Sequence, residues 1–242
     1  MPQQAERAEI AQLRAQLERV QGRKIDAPVL PVHPALSDLL PGGGLRPGAV
    51  YSVSGAMSLL LGLIAGPSQE GSWCGMVGMP EVGIEAAERL GVDLGRVVLV
   101  PRPGIRWIAV AATLAEVLPV VAVRPLSRAG NADASRLMAR LRDRNGVLLV
   151  QGPWPQAEAT LDVAGASWEG LGRGHGYLSG RSLTVTSSSR RWPTPRRRRL
   201  LLPAGDGSVA QINEPLTAAW GARDEIGDTR AGGEPPRIRA VG

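Results

Sequence analysis

Between residues 49 and 152, short apolar runs alternate with segments of helical periodicity. The runs are rich in Val and end at Gly, Pro or charged residues, a pattern typical of strands buried on both faces. They are AVYSVS (49–54), WCGMVG (73–78), RVVLV (96–100), PVVAV (119–123) and VLLVQG (147–152). Helices are predicted between them, over 58–66, 81–92, 105–118 and 131–146, the last with Asn131 or Asp133 as its N-cap. This alternation predicts an α/β fold with a mostly parallel sheet flanked by helices.

The pattern changes beyond about residue 155. Short alternating segments separated by Gly-rich turns follow, namely LDVAGASWEG, SLTVTSSS, RRRLLLP and SVAQI. We expect them to extend the sheet as C-terminal antiparallel strands. The last segment, 214–242, is polar, rich in Gly and Pro and without period, which favours a disordered tail.

The first 24 residues predict an amphipathic N-terminal helix. Its apolar side chains, Ile10, Leu13, Leu17 and Val20, are spaced by three, four and three residues and form a narrow stripe. A lone helix must bury such a stripe, either on its own domain or on another chain. The stripe is therefore a candidate partner interface, and residues 25–213 form the predicted core domain.

The stretch VSGAMSLLLGLIAG (53–66) follows a strand and opens a helix, as phosphate-binding loops do. Matching G-x-x-x-x-G-K-[ST] from Gly55 places Leu60, Leu61 and Gly62 at the last three positions. The only lysine of the chain, Lys24, precedes this strand and cannot contact the phosphates from the loop. We therefore predict no ATPase motif and no cofactor, and we expect Leu60 and Leu61 to be buried.

A P-loop ATPase also needs a carboxylate after a neighbouring strand to hold Mg²⁺. The apolar strand PVVAV is followed instead by Arg124, which would repel the metal. Glu81 follows another strand, but alone it is an ordinary loop carboxylate. No catalytic residue is predicted.

Other chemistry has little support in the sequence. GLGRGHGYLSG has no preceding strand and does not fit a dinucleotide-binding fingerprint. His33 and His175 have no acidic or cysteine residue at ligand spacing, and Cys74 is the only cysteine, so neither a metal site nor a disulfide is predicted. The charged start of the chain and the absence of a long apolar run predict a cytoplasmic protein without a membrane partner.

The net charge of +6 is concentrated in one segment, SSSRRWPTPRRRRLLLP. Arginines neutralise phosphates and a tryptophan can stack on an unpaired base, so the segment is a candidate site for single-stranded DNA. A solvated edge strand is the alternative, because charge there blocks unwanted strand pairing. The nucleic-acid candidates are Arg190, Arg191, Trp192, Arg196, Arg197, Arg198 and Arg199.

Two segments resemble RecA-like recombinases. ALSDLLPGGGLRPGAVYSVSG resembles the Gly-rich turn and strand before their phosphate loop, and ERLGVDLGRVVLVPRPG resembles their Leu-Gly-Val-Asp-Leu helix–turn–strand. The resemblance covers about residues 35–212 and implies a RecA-like fold, whereas the family's lysine, hydroxyl and aspartate have no counterpart here. In RecA proteins an N-terminal helix packs on the next subunit, which makes the apolar stripe a candidate for self-association.

SLLLGLIAGPSQEGSWCGMVGMPEVG and SWEGLGRGHG further resemble the actinobacterial ImuA-type proteins of the mutasome. That resemblance implies an adaptor in damage-induced mutagenesis, which works with an ImuB-like Y-family polymerase relative and an error-prone C-family polymerase during translesion synthesis. Trp220 is a second partner-interface candidate, since an aromatic residue in a polar tail can anchor in a groove. A DNA-binding RecA-like protein and a diverged RecA-like ATPase are the alternatives.

Overall fold

A computed structural model describes residues 28–169 and 180–212. These residues form one nine-stranded sheet in the order β3-β2-β4-β5-β1-β6-β7-β8-β9. The strands are β1 (Val50–Ser54), β2 (Cys74–Val77), β3 (Val97–Val100), β4 (Val120–Val123), β5 (Val147–Gln151), β6 (Ala159–Glu169), β7 (Gly180–Ser188), β8 (Arg196–Leu201) and β9 (Ala210–Ile212). The predicted N-terminal helix and the tail from residue 214 lie outside the described residues.

Five α-helices occur in the described part of the chain. They are α1 (Pro34–Ser37), α2 (Met57–Gln69), α3 (Ile84–Arg89), α4 (Trp107–Leu114) and α5 (Asn131–Arg144). Short 3-10 turns over Leu94–Arg96 and Gly104–Arg106 precede β3 and α4. The N-cap of α5 is Gly130, so the prediction of Asn131 or Asp133 as the cap is wrong, and both residues lie within the first turn. The helix ends at Asn145, which adopts a left-handed conformation.

The predicted α/β fold with a mostly parallel sheet is confirmed. The first five strands pair in parallel, and each is connected to the next through a helix. This arrangement of a parallel core with antiparallel strands added at one side is consistent with a RecA-like fold.

The first C-terminal strand differs from the prediction, because β6 pairs with β1 in parallel, in the register Tyr51↔Ala159 to Ser54↔Asp162. The chain reaches this position from β5 through the helix-free segment 152–158. Ala159 and Leu161 thereby join the same core as β1, so burial of these side chains favours this pairing. The antiparallel prediction holds for β6–β7, β7–β8 and β8–β9.

The sheet separates two hydrophobic cores. Neighbouring residues of one strand point to opposite faces, so Tyr51 packs with α1, α2 and α3, and Val50 packs with α4 and α5. The core on the α2 side continues across β6, β7 and β8, whereas the core on the α5 side ends at β1. Helices therefore cover both faces of β1, β2, β4 and β5, and the α2-side core covers one face of the C-terminal strands, while the edge strand β3 stays partly exposed.

Helix α2 is buried on almost all sides. Besides the sheet, the chain segment around Val32 and the loop after β8 pack against this helix. A Cβ on Gly62 would lie 3.3 Å from Leu36 Cδ1, and a Cβ on Gly66 would lie 2.4 Å from the Pro31 carbonyl oxygen. This double burial explains why the sequence of α2 is apolar without helical periodicity. Within the described residues, no helix has both the length and the apolarity needed to cross a membrane.

Candidate functional site

The connection from β1 to α2 contains only two residues, Gly55 and Ala56. Gly55 has a φ of +89°, and a Cβ at this position would lie 2.9 Å from Val163 Cβ on β6. The turn is therefore restricted to glycine by both its conformation and the neighbouring strand. A connection of this length provides no loop that could surround a phosphate group.

Leu60 and Leu61, which occupy the P-loop glycine and lysine positions in the alignment, lie within the first two turns of α2. Their side chains are 0% and 2% exposed, so the prediction that they are buried is confirmed. Both belong to the core that α2 forms with the sheet. At this end of β1, leucine side chains take the place of the polar groups that a phosphate site needs.

Arg124 connects the ends of three neighbouring strands. Its guanidinium forms an ion pair with Glu81 after β2 and donates from Nε to Gln151 Oε1 at the end of β5, at 2.8 Å. Its backbone N–H donates to Val77 O on β2. Glu81, which the sequence identified only as a loop carboxylate, is thus the counterion of the arginine that stands in the metal-binding position.

Other polar groups near the ends of β1 and β5 also have internal partners. Ser52 Oγ donates to Gly152 O at 2.5 Å, and Ser54 Oγ donates to the carboxylate of Asp162 on β6. No group of three or more His, Cys, Asp or Glu side chains that could hold a metal occurs among residues 28–169 and 180–212. The pairing of Ser54 with Asp162 was missed because it depends on the register between β1 and β6.

The single cysteine and the N-terminal histidine have structural positions. Cys74 is buried in β2, as predicted, and burial raises the pKa of its thiol to about 12. His33 caps the short helix α1, where Nδ1 accepts a hydrogen bond from the Ala35 backbone N–H at 3.3 Å. His175 lies outside the described residues.

The basic segment forms the turn between β7 and β8 and most of β8. The guanidinium of Arg196 stacks on the Trp192 ring, 4.2 Å from the ring centroid, and its Nη1 donates to Asp38 O at 3.1 Å. Arg198 forms an ion pair with the Asp38 carboxylate at 3.1 Å. These contacts attach β8 to the segment that follows α1.

The remaining members of the basic segment differ in their surroundings. Arg191 forms an ion pair with Glu158, which precedes β6, and Arg199 is half-buried on β8. Arg190 and Arg197 are exposed. The structure therefore brings Trp192 and Arg196 together. Arg196, Arg191 and Arg198 all make contacts within the protein, the last two as ion pairs. Whether the segment contacts nucleic acid stays a prediction.

The carboxyl ends of β3 and β4 carry exposed apolar and basic side chains. Ile105 is 94% exposed and Leu126 is 54% exposed. Trp107 Nε1, at the start of α4, donates to Ser127 Oγ in the loop after β4 at 3.2 Å. Three exposed arginines, Arg102, Arg106 and Arg128, lie in the same two loops. No periodic pattern in the sequence indicates this surface, because it is built from two short loops.

The candidate residues for a partner interface could not be compared with the structure. Ile10, Leu13, Leu17, Val20 and Trp220 lie outside the described residues, so their assignment stays a prediction.

Comparison with known proteins places the chain in a family. Residues 38–156 match the sequence model of the MT3502 N-terminal domain, a region that contains β1–β5. The uncharacterized protein Rv3395c of Mycobacterium tuberculosis (strain ATCC 25618 / H37Rv) is 34% identical over 171 residues, which cover 63% of this chain and 80% of Rv3395c. The chain belongs to the family of Rv3395c.

Proposed function

We propose that this protein is a non-catalytic RecA-like adaptor that assembles other proteins for translesion DNA synthesis after DNA damage. The proposed partners are an ImuB-like Y-family polymerase relative and an error-prone C-family polymerase. The assignment to the ImuA type is supported by the sequence segments around α2 and β2 and by the downstream SWEGLGRGHG. A role in assembly requires binding surfaces and no reacting groups.

The observation that carries the proposal is the direct passage from β1 into a buried helix. A phosphate site at this position needs an open loop, free backbone N–H groups and a cation. Here two residues connect strand and helix, and Leu60 and Leu61 fill the space. The Arg124–Glu81 ion pair supports the same conclusion, because an arginine occupies the position where a metal-binding carboxylate would be needed.

The exposed side chains at the ends of β3 and β4 support a role in protein binding. Ile105 and Leu126 are exposed apolar side chains, and Arg102, Arg106 and Arg128 add positive charge to the same two loops. Such a surface suits a protein segment that places acidic residues around an apolar side chain. We assign this surface to the ImuB-like partner.

A nucleotide titration tests the absence of an ATP site. A ligand present at 100 times its Kd would raise the free energy of unfolding by about 2.7 kcal/mol. We expect no change in melting temperature with millimolar ATP and Mg²⁺, while a RecA ATPase measured alongside should be stabilised. Stabilisation of this protein by ATP would contradict the proposal.

Co-purification tests the partner surface. Ile105→Asp combined with Leu126→Asp should reduce recovery of the ImuB-like protein, because each change removes an apolar anchor. Val117→Asp is the matched control, since Val117 is also an exposed apolar residue, at 74%, but it follows α4 at the opposite edge of the sheet. Equal recovery of the ImuB-like protein with the wild type, the double variant and Val117→Asp would show that this surface is not the interface.

The N-terminal stripe provides a separate test of partner binding and self-association. Replacing Leu13 and Leu17 by Glu should abolish the interaction if the stripe is the interface. If the variant still co-purified with the partner and had the same mass as the wild type in light scattering, the stripe would be excluded as an interface. The surface around Ile105 is tested separately by its own variants.

Binding of single-stranded DNA is the second candidate function, supported by the exposure of Arg190 and Arg197 in the basic segment. It predicts affinity for labelled oligothymidylate that falls steeply with salt and weakens when Arg196–Arg199 are replaced by Ser. An anisotropy titration without salt-dependent binding would exclude this candidate.

A further inference from the structure

A groove lies beside the amino-terminal ends of β1 and β6, next to α5. Its volume is about 330 Å³. One wall is the C-terminal part of α5, and the other is the start of the β7–β8 turn. Among the lining residues are Gly48, Met138, Arg142, Glu158, Arg190 and Arg191.

The walls carry more positive than negative charge. The carboxylate of Glu158 forms ion pairs with Arg191 and with Arg46, the latter at 3.7 Å, so its charge is compensated. Arg142 and Arg190 are exposed, and neither pairs with a carboxylate in the described part of the chain. Two guanidinium groups in the groove are therefore available to an anion.

The backbone fixes the positions of both walls. Gly48 has a φ of +74°, and a Cβ there would lie 3.2 Å from Arg142 Cα, so the end of α5 contacts the segment before β1 closely. On the opposite wall, Ser189 Oγ donates to Glu158 O at 2.7 Å and accepts from the Arg191 N–H at 3.2 Å. The two walls are thus attached to the same part of the sheet.

We propose that this groove is a binding site for a phosphate group carried by a nucleic-acid backbone or by a small phosphorylated molecule. The planar guanidinium donates two parallel hydrogen bonds to phosphate, which suits arginine better than any other side chain. A volume of about 330 Å³ accommodates a phosphate with an attached group of the size of a sugar, at the lower end of the range of ligand pockets. The site is separate from the leucine-filled position after β1 and does not depend on the proposed adaptor function.

Calorimetric titration with inorganic pyrophosphate tests the site. Arg142→Gln and Arg190→Gln should each weaken binding by about tenfold, because each removes a charge-assisted hydrogen bond. Arg144→Gln is the matched control, since Arg144 is an exposed arginine two residues further along α5 that does not line the groove. Arg142→Lys should retain part of the affinity, and thermal unfolding of each variant confirms that the fold is intact.

Competition distinguishes the two sources of phosphate. Displacement of pyrophosphate by a 15-nucleotide oligothymidylate would identify the nucleic-acid backbone as the ligand. Binding of pyrophosphate that the oligothymidylate does not displace would identify a small phosphorylated molecule. Failure of the wild-type protein to bind either probe would overturn the proposal. Equal weakening in Arg144→Gln would overturn it as well, because binding would then follow net charge rather than the groove.

Discussion

Single residues of β1, α2 and β2 determine which added side-chain atoms and which buried charges the core can hold. Gly66 lies where the helix touches the backbone of residue 31, and Gly62 lies one turn earlier against flexible leucine side chains. Cys74 and Tyr51 are buried titratable groups, and burial raises the pKa of each to about 12. The two glycines and Cys74 each give a prediction that depends on one added carbon atom or one proton.

The two glycines of α2 should respond differently to alanine. Alanine within a helix is favoured over glycine by about 1 kcal/mol, which benefits both variants equally. In Gly66→Ala the new Cβ would lie 2.4 Å from the Pro31 carbonyl oxygen, so we expect a net loss of about 1–3 kcal/mol. Gly62→Ala, whose nearest neighbour is the end of a leucine side chain, should be close to neutral. Urea denaturation measures both, and equal stabilities would contradict the packing described for α2.

The pH dependence of stability should reflect the buried thiol. The pKa of Cys74 is raised from 9.0 to about 12 in the folded protein, so the folded state holds its proton where the unfolded state loses it. The resulting stability is present below pH 9 and is lost as the pH rises towards 12, with a slope of at most about 1.4 kcal/mol per pH unit. Cys74→Ala should give a shallower decline between pH 8 and 10.5. If the free energy of unfolding fell equally with pH in the wild type and in Cys74→Ala, burial of the thiol would be contradicted.

At the scale of elements, the turn from β1 into α2 is the feature that separates this protein from nucleotide-binding relatives of its fold. Introducing the glycine and lysine of the motif by Leu60→Gly and Leu61→Lys should not create a site, because both positions lie inside the helix and the core. We expect a loss of more than about 4 kcal/mol from the cavity and the buried ammonium together. Leu61→Met, which conserves volume, should cost less than about 1.5 kcal/mol. ATP binding by a folded double variant would show that the position can still hold phosphate.

The elements themselves were largely predictable from the sequence. The Val-rich runs of β1, β2, β4 and β5 are buried on both faces, which makes them short continuous apolar segments in the sequence. The edge strand β3 has the same composition although it is only half-buried. The pairing of β6 was not predictable, since LDVAGASWEG alternates in the same way whichever edge it joins. The groove between α5 and the β7–β8 turn was also missed, because residues 48, 142, 158 and 190 meet only through the register of β1, β5 and β6. Burial of Leu60 and Leu61 was predictable, because two apolar side chains occupy the positions of the motif's glycine and lysine.

At the scale of the whole molecule, the matched family domain and the folded unit do not coincide. Residues 38–156 end before β6, yet β6 pairs with β1, and Leu161, Leu183 and Leu200 complete the core on the α2 side. The contacts of Arg196 and Arg198 with Asp38 add a connection between positions about 160 residues apart.

A fragment of residues 28–156 should therefore fail to unfold cooperatively, because it exposes one edge of β1 and part of its core. A fragment of residues 28–212 should unfold in one transition. Denaturation followed by circular dichroism distinguishes them, with the full chain as the control. Cooperative unfolding of the shorter fragment would mean that β6–β9 are an addition to the core rather than part of it.

The leucine-filled turn of α2 also bears on how long an assembly lasts. In assemblies driven by a nucleotide, hydrolysis makes release of a partner irreversible and sets its timing. With Leu60 and Leu61 in the phosphate position, we expect partners to associate and dissociate reversibly, in proportion to their concentrations. The concentrations of this protein and its partners would then determine how much complex is present, and the dissociation rate constant, rather than hydrolysis, would determine how long each complex lasts.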